Sequence, residues 1–156
     1  MRLHICAVGR LRTGPERALI DDYTRRLDRT GRALSLGPLN EHQIDERKAQ
    51  GPEAEGAALE RAIPAQARLI ALDERGKLLT SPDFAALLAR WRDEGTQDTA
   101  FVIGGADGLA PGLRARADAT LSLGRMVWPH MLARVMLAEQ IYRAATILAG
   151  SPYHRA

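Results

Sequence analysis

The sequence predicts an α/β fold in which a mainly parallel sheet is flanked by helices. Three observations carry that reading. Short apolar runs recur without the strict alternation of a one-faced sheet, so they suit strands buried on both sides. Each run stops at glycine, proline or a polar turn, and segments with helical spacing lie between them. The length of 156 residues, with 46% hydrophobic and 26% charged, suits one core better than two, so residues 1–156 are expected to form a single domain.

Residues 2–8 place Leu3, Cys6 and Val8 among small or apolar neighbours and stop at Gly9, which reads as a buried strand. Pro15 suits the first turn of a helix running to about Arg29, with Ala18, Leu19, Tyr23 and Leu27 spaced for one face. A weaker strand is expected over about 33–39, ending at Gly37-Pro38. Residues 41–62 are polar and helical in period, but Gly51-Pro52 interrupts them, which makes this acidic stretch the expected mobile loop. A second clear strand covers 68–72, followed by a turn over 73–77. Ser81 and Pro82 begin a helix over 82–93. Residues 99–103 form a third buried strand closed by Gly104 and Gly105, a short helix follows near 110–118, and a last strand spans 120–123. Pro129 opens the final helix, which extends to about Leu148.

Composition narrows the class of protein. No stretch approaches the roughly 18 consecutive apolar residues of a membrane span, and the first residues lack a signal-peptide pattern. The single cysteine, Cys6, excludes an internal disulfide and suits a reducing compartment, so a cytoplasmic domain is expected. The net charge of +3 hides an uneven distribution: residues 1–40 carry +4, residues 41–109 carry −5 and residues 110–156 carry +4. Basic ends that met in the fold would attract a polyanion; scattered solvated arginines account for the numbers equally well.

Ligands of such sheets bind outside the carboxyl ends of the strands. Three strand ends carry unusual loops here: Leu72-Asp73, the glycine-rich 104–108, and Leu123 through Pro129. Glycines let a backbone approach a ligand closely, although a lone Gly-Gly is more often an ordinary turn. Common nucleotide signatures fail. Gly9 and Gly14 have P-loop spacing, but Pro15 stands where lysine belongs, and no G-x-G-x-x-G follows a strand. His4, His42, His130 and His154 lack metal-ligand spacing, so no metal is expected. The segment 130–148 is apolar on nearly every face, which on so small a chain predicts burial on both sides and a homodimer. Glu139 and Arg143 fit a simple i,i+4 pair. The tail 151–155 groups an aromatic, an imidazole and a guanidinium, types that stack on bases and pair with phosphates.

Residues 103–108, 121–123 with Pro129 and His130, Arg134-Val135, 139–144 and the closing 152–155 together resemble the RlmH family, the ribosomal RNA large-subunit methyltransferases H of the SPOUT superfamily. Residues 2–9 and 22–27 match as well, so the resemblance spans nearly the whole chain and is loose only over 40–65. It implies an α/β fold with a deep C-terminal trefoil knot, a feature that sequence rules alone would not suggest. It also implies a homodimer that binds S-adenosylmethionine (SAM) and methylates N3 of a pseudouridine in 23S rRNA on assembled ribosomes.

Carried over residue by residue, the resemblance implies a cofactor pocket of Leu72, Gly104, Gly105, Leu123, Gly124, Arg125, Met126, Val127, Trp128 and Pro129. The 124–128 interior departs from commoner family versions, so backbone contacts carry over more securely than the Arg125 and Trp128 side chains. His130, Arg143, Tyr153, His154 and Arg155 become the RNA-side or catalytic candidates. His154 and Tyr153 are expected to orient the base, in their own subunit or across a dimer. The proton acceptor stays open, and His130 is as well explained by packing at the start of a helix. Two other classes remain: a non-catalytic ribosome- or RNA-binding factor, which leaves the glycine-rich strand ends unexplained, and a small-molecule nucleotide-binding enzyme, which leaves the tail unexplained.

Overall fold

The computed structural model describes residues Met1–Arg155. Five strands form one sheet in the order β2-β1-β4-β3-β5, with every pairing parallel. They are β1 (Arg2–Val8), β2 (Leu39–Ile44), β3 (Arg68–Leu78), β4 (Asp98–Ile103) and β5 (Ala119–Ser122). Five helices connect or follow them: α1 (Pro15–Gly31), α2 (Pro52–Ala62), α3 (Ser81–Asp93), α4 (Pro111–Arg116) and α5 (His130–Leu148).

Both faces of the sheet are covered, which is why its central strands read as continuous apolar runs. One face sends Leu3, Ile5, Ala7, Ile70, Phe101 and Ile103 into a core with α1, α3 and α5. The other sends Cys6, Val8, Leu69, Ala71, Ala100 and Val102 against Leu59 and Ile63, with Leu113 of α4. Burial leaves the Cys6 thiol inaccessible and pushes its pKa up to about 12.

Three expectations need correction. The weak strand at 33–39 is not formed: Arg32–Leu34 is a 3-10 turn, and the strand starts at Leu39, after Gly37-Pro38 rather than before it. Gly37 has φ of 104° and Pro38 has no N–H, so neither can sit inside a ladder. As an edge strand pairing with β1 alone among the described residues, β2 is polar from Asn40 to Gln43, which hid it. The segment 41–62, expected as a mobile loop, finishes β2, turns at Asp45 (whose carboxylate accepts from the Arg47 amide at 3.1 Å), and forms α2, docked through Leu59. The turn expected at 73–77 lies within β3: the chain bulges out after Leu72 and rejoins β5 at Lys77. A smaller shift concerns the α3 cap, which is Thr80, accepting from the Asp83 amide at 3.2 Å.

From edge strand β5 the chain passes the carboxyl ends of β3 and β4 and begins α5 beside the end of β1. There Arg134, fully buried, donates to the Val8 and Gly9 carbonyls at 3.1 and 3.0 Å and pairs with Glu41 at 3.0 Å. This crossing brings three strand-end loops together. Among the described residues no helix is long and apolar enough to cross a membrane.

Candidate active site

Backbone constraints shape the first loop. At Gly76 a Cβ would lie 2.8 Å from the Leu121 carbonyl carbon, so only glycine lets the β3 bulge lie against β5. Asp73 holds the bulge, accepting from the Arg75 amide at 2.8 Å and pairing with Arg114 Nε at 3.0 Å. Burial pushes the Asp73 carboxyl up, but Arg75 and Arg114 outweigh it and leave it below its ordinary value.

The second loop follows β4. A Cβ on Gly104 would stand 2.4 Å from the carbonyl carbon and oxygen of Gly108, and the Gly108 amide closes the turn on the Gly105 carbonyl at 3.0 Å. The carboxylate of Glu55, from α2, lies where a Gly105 Cβ would point; its Oε2 is buried without a hydrogen-bond partner. In the third loop Ser122 Oγ bonds both the amide and carbonyl of Gly124, at 3.2 and 2.9 Å, and turns the chain outward. Met126 and Val127 beyond it are 72% and 81% exposed.

These loops enclose a cleft of about 350 Å³, a size suited to a small organic ligand. Of the ten expected cofactor residues, Leu72, Gly104, Gly105, Leu123, Gly124, Met126, Val127 and Trp128 line it. Arg125 and Pro129 do not; Pro129 instead precedes the first turn of α5. Apolar walls come from Leu72, Ile103, Leu121 and Leu123, with Asp73 and His130 at polar positions.

Four of the five catalytic candidates fall into two groups. His130, the first residue of α5, lines the cleft, whereas Arg143, Tyr153 and His154 gather around Glu139 on α5. Glu139 Oε1 accepts from Arg143 Nε at 3.0 Å, Arg143 Nη2 at 2.7 Å and the Tyr153 hydroxyl at 3.0 Å. Arg143 Nη1 approaches His154 Nδ1 at 3.3 Å, and its guanidinium lies 4.8 Å from the Tyr153 ring centre. Burial, then the Glu139 carboxylate, push the Tyr153 pKa up, while the Glu139 hydrogen bonds raise that of Arg143. The tail is therefore packed on α5 rather than loose, although Arg155 at its end is exposed. A second cavity of about 350 Å³, lined by Ser81, Phe84, Glu139 and Gln140, shares Leu121, Leu123 and Gly124 with the cleft.

Sequence reasoning missed the roles of Asp73, Glu55 and Arg134. Arg134 had a signal: a charge between Ala133 and Val135 on an otherwise apolar face marks a buried partner. Among the described residues no group of three or more His, Cys, Asp or Glu could hold a metal ion.

Residues 1–154 match the family described as "Predicted SPOUT methyltransferase". The chain is 66% identical over 155 residues to the Ribosomal RNA large subunit methyltransferase H of Ruegeria pomeroyi, and 63% identical to that of Roseobacter denitrificans, with 99% of both chains covered in each case. Its fold is similar to that of a probable methylase family protein from Haemophilus influenzae, with a TM-score of 0.57 at 12% identity over 99% of this chain and 70% of the other. The parallel sheet, the cleft at its carboxyl edge and these matches place the chain in the ribosomal RNA large-subunit methyltransferase H family of SPOUT methyltransferases, whose fold carries a C-terminal trefoil knot.

Proposed function

We propose that the chain is a SAM-dependent methyltransferase acting on N3 of a pseudouridine in 23S rRNA of the assembled ribosome, in the cytoplasm. The observation that carries this reading is the cleft itself, built by three strand-end loops in a chain that matches the large-subunit rRNA methyltransferases H end to end. The residues present fit SAM: Gly104 keeps the wall free of a side chain that would collide with Gly108, and Leu72, Leu123 and Trp128 offer apolar surface to an adenine ring.

When bound, SAM supplies an electrophilic methyl on a sulfonium, transferred in line, so that an N3–carbon bond forms as the sulfur–carbon bond breaks and the N3 proton departs. The chain's task is to position and to handle that proton. We assign that proton to the imidazole of His130, which lines the cleft wall. Tyr153 is spent as a donor to Glu139 and stays protonated, so it orients rather than abstracts. Arg143 is likewise committed to Glu139, whereas Arg155 is exposed and offers its charge toward RNA.

None of Arg143, Tyr153 and His154 lines the cleft of its own chain, and Met126 and Val127 are exposed at its rim. A homodimer accounts for both features, since a second copy covers the apolar rim and brings its tail to the cleft. α1 packs on α5, where Arg25, Arg26 and Arg29 of α1 gather beside Tyr142, with Asp22 pairing to Arg25 and Arg26. Such a surface reads phosphate and shape more than sequence. Titration with SAM, followed by methyl transfer to large ribosomal subunits and to protein-free 23S rRNA, tests the reading. SAM binding with turnover on the subunit is expected. Absence of SAM binding would favour a non-catalytic RNA-binding factor, and equal turnover on protein-free rRNA would overturn recognition through the assembled ribosome.

A further inference from the structure

Glu139 is the hub of a network that the methyl-transfer chemistry does not by itself require. Its Oε1 receives both Arg143 and the Tyr153 hydroxyl, while its Oε2 accepts from Gln140 at 2.8 Å, and Gln140 in turn accepts from Ser81 at 2.7 Å. The chain reverses just before the tail, where the Ser151 amide donates to the Thr146 carbonyl at 2.9 Å. Tyr153 is then fixed from three sides: its hydroxyl by Glu139, its face by Arg143 and its edge by Tyr142 at a ring separation of 4.8 Å. One carboxylate thus joins α3, α5 and the tail.

The same network determines what His154 can do. A guanidinium only donates hydrogen bonds, so the His154 Nδ1 facing Arg143 at 3.3 Å must be the accepting nitrogen. The ring proton of the neutral imidazole is then on Nε2, which is left as a donor. An imidazole held this way cannot take a proton at Nε2, but it can donate one hydrogen bond to a carbonyl oxygen of a base that is losing its N3 proton.

We propose that Glu139 is a positioning residue that acts through Arg143 and Tyr153 to set the tail's orientation and to hold His154 as an Nε2–H donor. The proposal rests on the reading above that the tail takes part in the reaction. Glu139 itself touches no reacting atom; it acts by removing the freedom of Tyr153 and His154.

The experiment is a cycle on the full-length protein with large ribosomal subunits as substrate: wild type, Glu139→Ala, a chain ending at Ser151, and the two changes combined. Glu139→Ala is expected to lower kcat by about tenfold to a hundredfold, with the Kd for SAM unchanged within about twofold, and to have almost no further effect in the shortened chain. Losses that multiply would overturn the proposal, because Glu139 would then act independently of the tail; so would an unchanged kcat in Glu139→Ala. Glu139→Gln, which keeps an acceptor for Tyr153, should recover part of the loss, and failure to recover any in a folded variant also counts against it.

A second readout is independent of turnover. Nitrogen-15 shifts of the His154 ring should report the Nε2–H tautomer in wild type and a mixture in Glu139→Ala; the same tautomer in both would overturn the proposal. A wild-type protein that transfers no methyl group refutes the functional reading instead, and a shortened chain with full kcat refutes the tail's role and the proposal with it.

Discussion

At the amino ends of β1 and β4 the polar side chains satisfy one another, whereas at the carboxyl ends of β3, β4 and β5 Asp73 pairs with Arg75 and Arg114 but the loops beyond them leave a cleft. Asp98 takes both nitrogens of an Arg2 fork at 2.7 Å and His4 Nε2 at 2.8 Å, and His4 Nδ1 faces His42 Nε2 at 3.1 Å. Burial, then the neighbouring His4, hold His42 below its ordinary pKa. Across the sheet glycine and aliphatic carbon make up much of the walls, with Asp73 and His130 at polar positions, Glu55 Oε2 has no partner among the described residues, and Met126 and Val127 face solvent. Side chains already paired with each other are committed to stability; those left without partners are available to ligands. Changes at the first end should therefore cost folding and spare binding, and changes at the second should do the reverse.

The largest effect is expected at Gly104. Gly104→Ala puts a methyl 2.4 Å from the Gly108 carbonyl, and the loop must shift into the cleft. Calorimetry should show SAM affinity reduced by about a hundredfold or more, with circular dichroism unchanged. A variant that binds normally would mean that the loop does not form the cofactor wall.

Asp98→Asn, at the closed end, should instead lower unfolding stability by about 2 kcal/mol in urea melts while leaving SAM affinity unaltered. Its pH dependence has a definite sign. Hydrogen bonds from Arg2, against the opposing effect of burial and with help from His4, hold the Asp98 carboxyl at about 2 rather than 3.8. The contribution is thus complete above pH 3.8 and is lost as pH falls through 2, so wild type and variant should converge only in that acid range. Convergence near neutral pH would break the contrast between the two ends.

A smaller change is expected at the rim. Trp128 lines the cleft yet is 39% exposed, so Trp128→Ala should weaken SAM binding by only about fivefold to tenfold, read by the same titration. The smallest effect concerns Cys6, whose buried thiol should resist alkylation in the folded protein and react at the ordinary rate in urea. Ready labelling of the native chain would show the sheet's second face to be more open than its packing indicates.

Much of this contrast was legible in the sequence, and the exceptions have physical causes. Strands β1 and β4, buried on both faces, announce themselves by unbroken apolar runs ending at glycine. Helices α1 and α3 carry proline in their first turns, and α5 is recognisable from its apolar length. Edge strand β2 did not, because only Leu39 of its six residues is buried. The bulge at 73–76 looked like a turn because its charged residues hide an extended backbone that returns to β5. Helix α2 depends on the docking of Leu59 into a core assembled elsewhere in the chain. At the site, the glycines of 104–108 were visible as a motif, but the importance of Glu139 was not. An i,i+4 spacing accounts for Arg143, and nothing in one dimension reveals that Tyr153, fourteen positions on, returns to the same oxygen.

The most direct test of the central claim is methyl transfer from isotopically labelled SAM to large ribosomal subunits that lack the modification, with the product located by mass spectrometry. Label on N3 of a pseudouridine in 23S rRNA, abolished by Gly104→Ala and retained by Asp98→Asn, is the predicted result. No incorporation into the subunit, label on another atom, or label that persists in Gly104→Ala would contradict the assignment of the cleft and of the reaction.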